Sequence, residues 1–244
     1  MKIKIINPNT TAEMTEDICV SARAGAWPGT EVVCLNPDKG PTTIEGWYDE
    51  QMAIPWLIEE LLKSERDDPA QGYVVACFGD PGLYALRELT QKPVLGVAES
   101  AIALTQFVAA RFAIVTIMPR VRLMLEELVQ RSGASHRCAS IRTPDLAVID
   151  FMNDYDRCEK ILIDQAKEAI ADDYAEAIIL GCAGMASFVD NVRRALPVPV
   201  FDAVASAVSL AQTLVHLGIS TSKVLTYKPP EKKELKGLGE LFQP

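Results

Sequence analysis

Short apolar runs alternate with longer amphipathic stretches along most of the chain. Runs typical of buried strands cover residues 3–6, 31–35, 73–76, 112–117, 177–180 and 198–201. Segments with helical periodicity separate most of them. Strands that are apolar on both faces and joined by helices form parallel sheets covered on both sides. The pattern therefore predicts an α/β fold, in which ligands bind at the carboxyl ends of the strands.

An internal repeat appears when the chain is aligned with itself at an offset of 105 positions. In the first copy an apolar run leads to Cys77 and Gly79, and in the second an apolar run leads to Cys182 and Gly184. Each copy continues with a helix, a proline-led apolar run and another helix. Such self-similarity predicts two pseudo-symmetric lobes, each with a cysteine where a parallel strand ends and a helix begins. We expect the lobes to face each other, so that the cysteines share one site.

The predicted position of the two cysteines suits acid/base chemistry. Free backbone N–H groups and the positive end of a helix lower a thiol pKa from about 8.5 toward neutrality. Asp80 followed by Pro81 predicts a helix that begins just past Cys77, because Asp is a preferred N-cap and Pro is favoured in the first turn. Burial explains a single strand-end cysteine equally well. The matched pair favours a functional role.

Composition and charge narrow the function classes. The chain has 244 residues, a net charge of −9 and a pI near 4.9, which argues against nucleic-acid binding. No apolar run reaches the roughly 18 residues of a membrane span and no signal precedes the first strand, so we expect no membrane association and a cytoplasmic location. There, all six cysteines are expected to be thiols. Their spacing predicts no metal site.

The predicted lobes divide the chain unequally. Residues 1–97 together with 207–244 are assigned to the first lobe and tail, and residues 98–206 to the second lobe. After Ser222 the composition changes to Lys-Pro-Pro-Glu-Lys-Lys, which is typical of an exposed tail or of an arm swapped between subunits.

Four motifs, in order and at compatible spacing, resemble the hydantoin and allantoin racemases of the aspartate/glutamate racemase superfamily. They are Ile6-Asn7-Pro8-Asn9-Thr10, Gly40-Pro41-Thr42-Thr43-Ile44-Glu45-Gly46, Ala76-Cys77-Phe78-Gly79-Asp80-Pro81-Gly82 and Gly181-Cys182-Ala183-Gly184-Met185. The similarity extends to about Tyr227. It implies two flavodoxin-like lobes, an active site in the crevice between them, a small-molecule substrate, no cofactor and a homo-oligomer.

The resemblance makes Cys77 and Cys182 the two acid/base groups, one on each face of the substrate carbon. One thiolate removes the proton α to a carbonyl and the opposite thiol donates one, so the two enantiomers need reversed protonation states. Backbone N–H groups of two turns are inferred to hold the developing enolate charge. These turns contain Phe78, Gly79 and Asp80 in the first lobe, and Ala183 and Gly184 in the second.

Three polar side chains at matched positions are candidates for binding the ring carbonyl and N–H groups of a substrate: Asn7, Thr43 and Thr116. Each also has a structural interpretation. Asn7 precedes a proline and suits a turn, Thr43 lies in a loop and Thr116 in a strand, while Asp80 could be only a helix cap.

Two sequence features bear on the substrate: a difference from the amino-acid racemases of the superfamily and one departure from the hydantoin and allantoin racemase pattern. Amino-acid racemases of the superfamily have Asn, Thr or Ser after each cysteine to bind a carboxylate, where this chain has Phe78 and Ala183. A hydantoin ring offers neutral amide edges and a more acidic C–H, so a 5-substituted hydantoin or allantoin fits better. Ile117 replaces the second of two threonines common in these racemases. An isoleucine at this position would make the substrate pocket more apolar, which favours aliphatic or aromatic substituents over the ureido group of allantoin.

Other function classes remain open from the sequence. Maleate-type cis-trans isomerases, arylmalonate-type decarboxylases and amino-acid racemases of the superfamily use the same cysteine positions. A Cys-His hydrolase needs an imidazole beside the thiol, and the only two histidines, His136 and His216, lie outside the matched motifs. A solute-binding protein also has two lobes around a crevice. In deuterated water, entry of solvent deuterium at the substrate carbon during loss of optical rotation would distinguish racemisation from these alternatives.

Overall fold

The computed structural model describes residues 1–146, 150, 154–231 and 233. Within them, two parallel four-stranded sheets have the orders β2-β1-β3-β4 and β6-β5-β7-β8. The strands are β1 (Lys2–Ile6), β2 (Glu31–Leu35), β3 (Gly72–Val75), β4 (Val94–Gly96), β5 (Phe112–Val115), β6 (Cys138–Arg142), β7 (Ala177–Leu180) and β8 (Val200–Asp202). The second sheet repeats the topology of the first. The predicted α/β fold with two similar lobes is confirmed.

Helices connect the strands and cover the sheets. In chain order they are α1 (Ala12–Ala24), α2 (Trp47–Asp67), α3 (Leu83–Leu89), α4 (Val97–Thr105), α5 (Arg122–Arg131), α6 (Tyr155–Asp172), α7 (Val189–Ala195) and α8 (Ala203–His216). Short 3-10 helices cover Pro119–Val121, Ala183–Phe188 and Leu225–Tyr227.

The central strands of each sheet bring the candidate site residues to one edge. Ile6 of β1 pairs with Val75 of β3, and Val115 of β5 pairs with Leu180 of β7. Strands β3 and β7 are buried over their full length, as expected of strands with neighbours on both sides. The residues that follow these four strands therefore meet at the carboxyl edges of the two sheets.

The two lobes are packed together by helices that pass between them. Helix α4 contacts β7 and β8 of the second sheet, and α8 contacts β1, β3 and β4 of the first. A single buried apolar cluster includes strand residues of both sheets, such as Ile5 and Ile179. The lobe boundaries at residues 97 and 207 remain a prediction.

One expectation about the cysteines is wrong. Cys19 of α1 and Cys34 of β2 form a disulfide, although the sequence predicted six thiols. Helix α1 packs against β2 and brings the two Cα atoms to 5.8 Å, within the range that a disulfide spans. The remaining cysteines are outside disulfides: Cys77, Cys138, Cys158 and Cys182.

The predicted tail begins against the first lobe. Thr221 Oγ1 donates to the carbonyl of Lys92, and Tyr227 stacks on Tyr84 of α3. Residue 232 and residues 234–244 lie outside the described residues. Whether they form an exposed tail or an arm swapped between subunits stays a prediction. Among the described residues, no helix is both long and apolar enough to cross a membrane.

Candidate active site

Cys77 and Cys182 occupy equivalent turns in the two lobes. Each lies two residues past the end of a central strand, β3 or β7. The carbonyl of Cys77 accepts a hydrogen bond from the N–H of Asp80 at 2.9 Å, and that of Cys182 accepts one from Met185 at 3.0 Å. Both cysteines line one cavity of about 70 Å³, which we call the inner cavity. The structure thus brings the two cysteines to a common space.

The wall of the inner cavity comes from both lobes and is mainly apolar. Its apolar side chains are Met14, Ile18, Ile44, Ala76, Phe78, Ile117, Val121, Met124 and Leu125. Its polar or reactive side chains are Asn7, Asn9, Glu50, Cys77, Thr116 and Cys182, and its glycines are Gly46, Gly79 and Gly181. An apolar pocket with a few polar groups is the usual form of a small-molecule site.

The pKa of Cys77 differs from the sequence expectation. Burial raises it to about 12 in the ligand-free protein, whereas the strand-to-helix position predicted a lowered value. The N–H of Gly79 donates to the sulfur and lowers the pKa, but desolvation is larger, and the charges of Glu50, Cys182 and Asp80 raise it further. The difference has a simple physical cause: desolvation of the half-buried thiol by the surrounding protein, together with nearby negative charges, outweighs one backbone hydrogen bond.

The Asn7 side chain is fully engaged in a turn. Its Nδ2 donates to Asn9 Oδ1 and to Thr15 Oγ1, and its Oδ1 accepts from the N–H of Asn9. Within the part of the chain that the structure describes, Asn9 Nδ2 donates one hydrogen bond, to the weak acceptor Met14 Sδ at 3.5 Å. Asn9 was not among the predicted binding residues, and its amide is better placed than that of Asn7 to donate to a ring carbonyl.

Thr116 is a fully buried residue in the wall of the inner cavity. Its Oγ1 donates to the carbonyl of Gly181 at 2.7 Å, which leaves its oxygen lone pairs to accept from a ligand. A Cβ on Gly181 would come within 2.9 Å of the Cβ of Thr116. The glycine before Cys182 is therefore required by this close packing.

The other predicted binding residues divide into three groups. Phe78 and Gly79 line the inner cavity. Thr43 does not, and the neighbouring Ile44 takes its place in the wall. Ala183 and Gly184 begin the 3-10 helix Ala183–Phe188 directly after Cys182.

Asp80 caps a different helix from the one that the sequence suggested. Its two carboxylate oxygens accept from the N–H groups of Ala98 and Glu99 at the start of α4, while α3 begins only at Leu83 after Gly82. Asp80 is buried, and desolvation raises its pKa to about 7. Its own N–H donates to the carbonyl of Cys77 at 2.9 Å, and the predicted role of that N–H as an enolate donor stays a prediction.

A second cavity of about 380 Å³ shares the lining residue Glu50 with the first, and we call it the outer cavity. Asp80, Glu99 and Arg131 line it, and Glu50 lines both cavities. Arg131 reaches from α5 of the second lobe and donates to the carbonyl of Gly79 at 2.9 Å. The outer cavity is larger, but neither Cys77 nor Cys182 lines it.

Sequence reasoning missed Glu50, although a signal was present. Glu50 belongs to the buried face of α2, in register with Ala53, Leu57 and Leu61. A charged residue in an apolar helical stripe is unusual, because burial of an unpaired charge is costly. Helical periodicity could therefore have singled it out.

Two pseudo-symmetric α/β lobes thus each supply a cysteine to the inner cavity, as the resemblance to racemases implied. A family model described as Asp/Glu/Hydantoin racemase matches residues 3–211. The chain belongs to this family and is an isomerase.

Curated relatives match over nearly the full chain. A hydantoin racemase of Pseudomonas sp. (strain NS671) is 48% identical over 99% of this chain and 97% of its own length. One of Paenarthrobacter aurescens is 47% identical over 96% of this chain and 99% of its own length.

Solved structures agree with the fold. An allantoin racemase from Klebsiella pneumoniae has a TM-score of 0.94 and 40% identity, covering 97% of this chain and 96% of that one. An allantoin racemase from Pseudomonas fluorescens has a TM-score of 0.93 and 37% identity, covering 97% and 100%.

Proposed function

We propose that the protein racemises 5-substituted hydantoins by proton transfer between the substrate carbon and two cysteines. The observation that carries the proposal is that Cys77 and Cys182, from equivalent turns of the two lobes, line one cavity. The names of the relatives, hydantoin and allantoin racemases, support the reaction class.

In the proposed mechanism a hydantoin ring lies between the two sulfurs. The thiolate of one cysteine removes the proton from ring carbon 5, the electrons pass into the adjacent carbonyl as an enolate, and the thiol of the other cysteine protonates the opposite face. Asn9 Nδ2 and the oxygen of Thr116 are the polar groups proposed to hold the ring. Both acid and base come from the chain, so the reaction requires no cofactor.

The proposed substrates carry an apolar substituent. Ile117, Met124 and Leu125 give the inner cavity an apolar wall, which stabilises an aliphatic or aromatic group by removing it from water. The ureido group of allantoin would lose its hydrogen bonds to water there. We expect a higher kcat/KM for 5-isobutyl- or 5-benzylhydantoin than for allantoin.

Polarimetry of single enantiomers in deuterated water tests the proposal. The wild-type protein should abolish optical rotation and place solvent deuterium at carbon 5. Cys77→Ala and Cys182→Ala should each stop racemisation, while each variant still exchanges the carbon 5 proton of one enantiomer. Cys138→Ala is the matched control, because Cys138 lies in β6 away from the inner cavity. Full activity of either active-site variant would refute the two-base mechanism.

The same samples separate the alternatives from the superfamily. Release of carbon dioxide from an arylmalonate would indicate a decarboxylase, and conversion of maleate would indicate a cis-trans isomerase. The arylmalonate decarboxylase structures are 18% to 19% identical to this chain and show a shared fold only.

A further inference from the structure

The two-cysteine mechanism leaves one buried ionisable group of the site without a role. Glu50 is 8% exposed and lies on the apolar face of α2. Among the residues that the structure describes, no hydrogen bond to its carboxyl oxygens is found. By contrast, Asp80 binds two N–H groups of α4, and Glu99 pairs with Arg87.

The Glu50 carboxyl stands between the two cavities. It lines the inner cavity together with Cys77, and it lines the outer cavity together with Arg131. A Cβ placed on Gly79 would come within 2.8 Å of Glu50 Oε2, so the carboxyl packs against the peptide whose N–H donates to the Cys77 sulfur. Glu50 is thus an ionisable group that contacts both the cavity of Cys77 and the larger outer cavity.

A two-base racemase must restore its proton positions after every turnover. When Cys77 has taken a proton from the substrate and Cys182 has given one up, the same direction of reaction can be repeated only after Cys77 loses a proton and Cys182 gains one. The mainly apolar lining of the inner cavity offers few groups for this exchange. A proton carrier next to Cys77 would remove the obstacle.

We propose that Glu50 carries protons between the Cys77 thiol and the solvent of the outer cavity. The inference rests on the proposed function. We call the restoration of the starting protonation states the reset. In the forward reset the S–H bond of Cys77 breaks, an O–H bond forms on Glu50, and the carboxyl then releases its proton to water beside Arg131. Cys182 meanwhile takes one proton from solvent, so the total proton count is unchanged. In the reverse reset Glu50 delivers a proton to Cys77.

The electrostatics of the site agree with a shared proton. Burial raises the pKa of Glu50 and the positive charge of Arg131 lowers it, while an ionised Glu50 raises the pKa of Cys77. Protonation of Glu50 therefore favours the Cys77 thiolate, which is the coupling that a carrier needs. Asp80 and Glu99 of the outer cavity are further charged groups near the pair. The guanidinium of Arg120 lies against Gly46 in the wall of the inner cavity.

The substitution Glu50→Gln tests the inference, because it keeps the shape of the side chain and removes its ability to carry a proton. The reset occurs after product release, so kcat should fall by about 10- to 100-fold while kcat/KM stays within about threefold of wild type. Formate, acetate or imidazole added to the assay should restore kcat by entering the outer cavity. Glu59→Gln on the same helix is the control, since Glu59 pairs with Lys63.

Each outcome decides between carrier and structural roles. An equal fall in kcat and kcat/KM without rescue by small acids would mean that Glu50 only positions the Gly79 turn, and an unchanged kcat would also overturn the inference. Glu50→Asp keeps a carboxyl and should retain more of kcat than Glu50→Gln, with folding of both checked by thermal melting. A wild-type protein that fails to racemise any hydantoin would instead refute the proposed function.

Discussion

Asp80 is a buried carboxyl whose oxygens accept two backbone N–H groups of α4. Its pKa is raised from 3.8 to about 7, mainly by desolvation. A carboxyl with a raised pKa stabilises the folded state most when it is protonated, below the unfolded value near 4. That contribution is lost as the pH rises to about 7. We therefore expect the free energy of unfolding of wild type minus that of Asp80→Asn to fall between pH 4 and pH 7.

Urea unfolding at several pH values measures this difference. Asp190→Asn is the control, because Asp190 is an exposed residue that forms a surface ion pair with Arg193. Its difference from wild type should be almost constant over the same range. A constant difference for Asp80→Asn as well would show that Asp80 is ionised throughout.

Single residues show what local sequence rules can and cannot predict. Cys77 and Cys182 were singled out because their environments repeat in the chain, and repetition is visible without coordinates; the structure places both in the lining of one cavity. The cap formed by Asp80 was assigned to the next helix along the chain, because capping rules consider only neighbours in sequence. In the structure β3 and β4 lie side by side, so the start of α4, which follows β4, comes within reach of Asp80. The pKa of Cys77 was missed because burial depends on the packed lobes.

At the scale of secondary structure, central strands were easier to predict than outer ones. The run 177–180 coincides with the central strand β7. The outer strand β6 was missed, since it is mostly half-buried and includes Ser140 and Arg142. An edge strand pairs on one side only and need not be apolar on both faces. The three-residue strand β4 was noted only as the proline-led apolar run of the repeat and not as a strand, whereas β8, of the same length, was predicted.

The disulfide between α1 and β2 provides a test at this scale. It closes a loop with a sequence separation of 15, and loops of this size gain up to about 3 kcal/mol from restriction of the unfolded chain. A reductant should lower the free energy of unfolding by no more than this amount. Urea titrations with and without dithiothreitol measure the change.

The double variant Cys19→Ala/Cys34→Ala serves as the control for reduction. Its stability should not respond to dithiothreitol, because the other cysteines are not in disulfides. Equal stability of the wild-type protein in both conditions would show that the two sulfurs do not form a bond in solution. Cys77 and Cys182 are outside disulfides, so dithiothreitol has no bond to reduce there.

For the whole molecule, the repeat predicted two lobes and a shared site, but not how the lobes contact each other. The outer cavity and the hydrogen bond from Arg131 to the Gly79 carbonyl exist only after the lobes have packed. Arg131 lies on α5 and has no counterpart in the motifs of the first lobe. No periodic or motif signal marks such a residue, because its partner is more than 50 positions away in another element.

Arg131 therefore provides a test of contact between the lobes. Arg131→Met keeps an unbranched apolar stem but removes the hydrogen bond to the carbonyl of Gly79, the residue whose N–H donates to the Cys77 sulfur. It also removes the positive charge that lowers the pKa of Glu50. We expect kcat/KM for a hydantoin to fall by about three- to tenfold, the effect of losing one partly exposed charged hydrogen bond.

Arg122→Met is the matched control for this prediction. Arg122 lies on the same helix and is exposed, and its guanidinium pairs with Glu126 of that helix at 2.8 Å. A loss that is equal in the two variants would indicate a general effect on α5. A loss confined to Arg131→Met, with partial recovery in Arg131→Lys, would mean that a cation from the second lobe positions the turn carrying the first-lobe cysteine. Catalysis at Cys77 would then depend on the packing of both lobes, because neither lobe holds that turn alone.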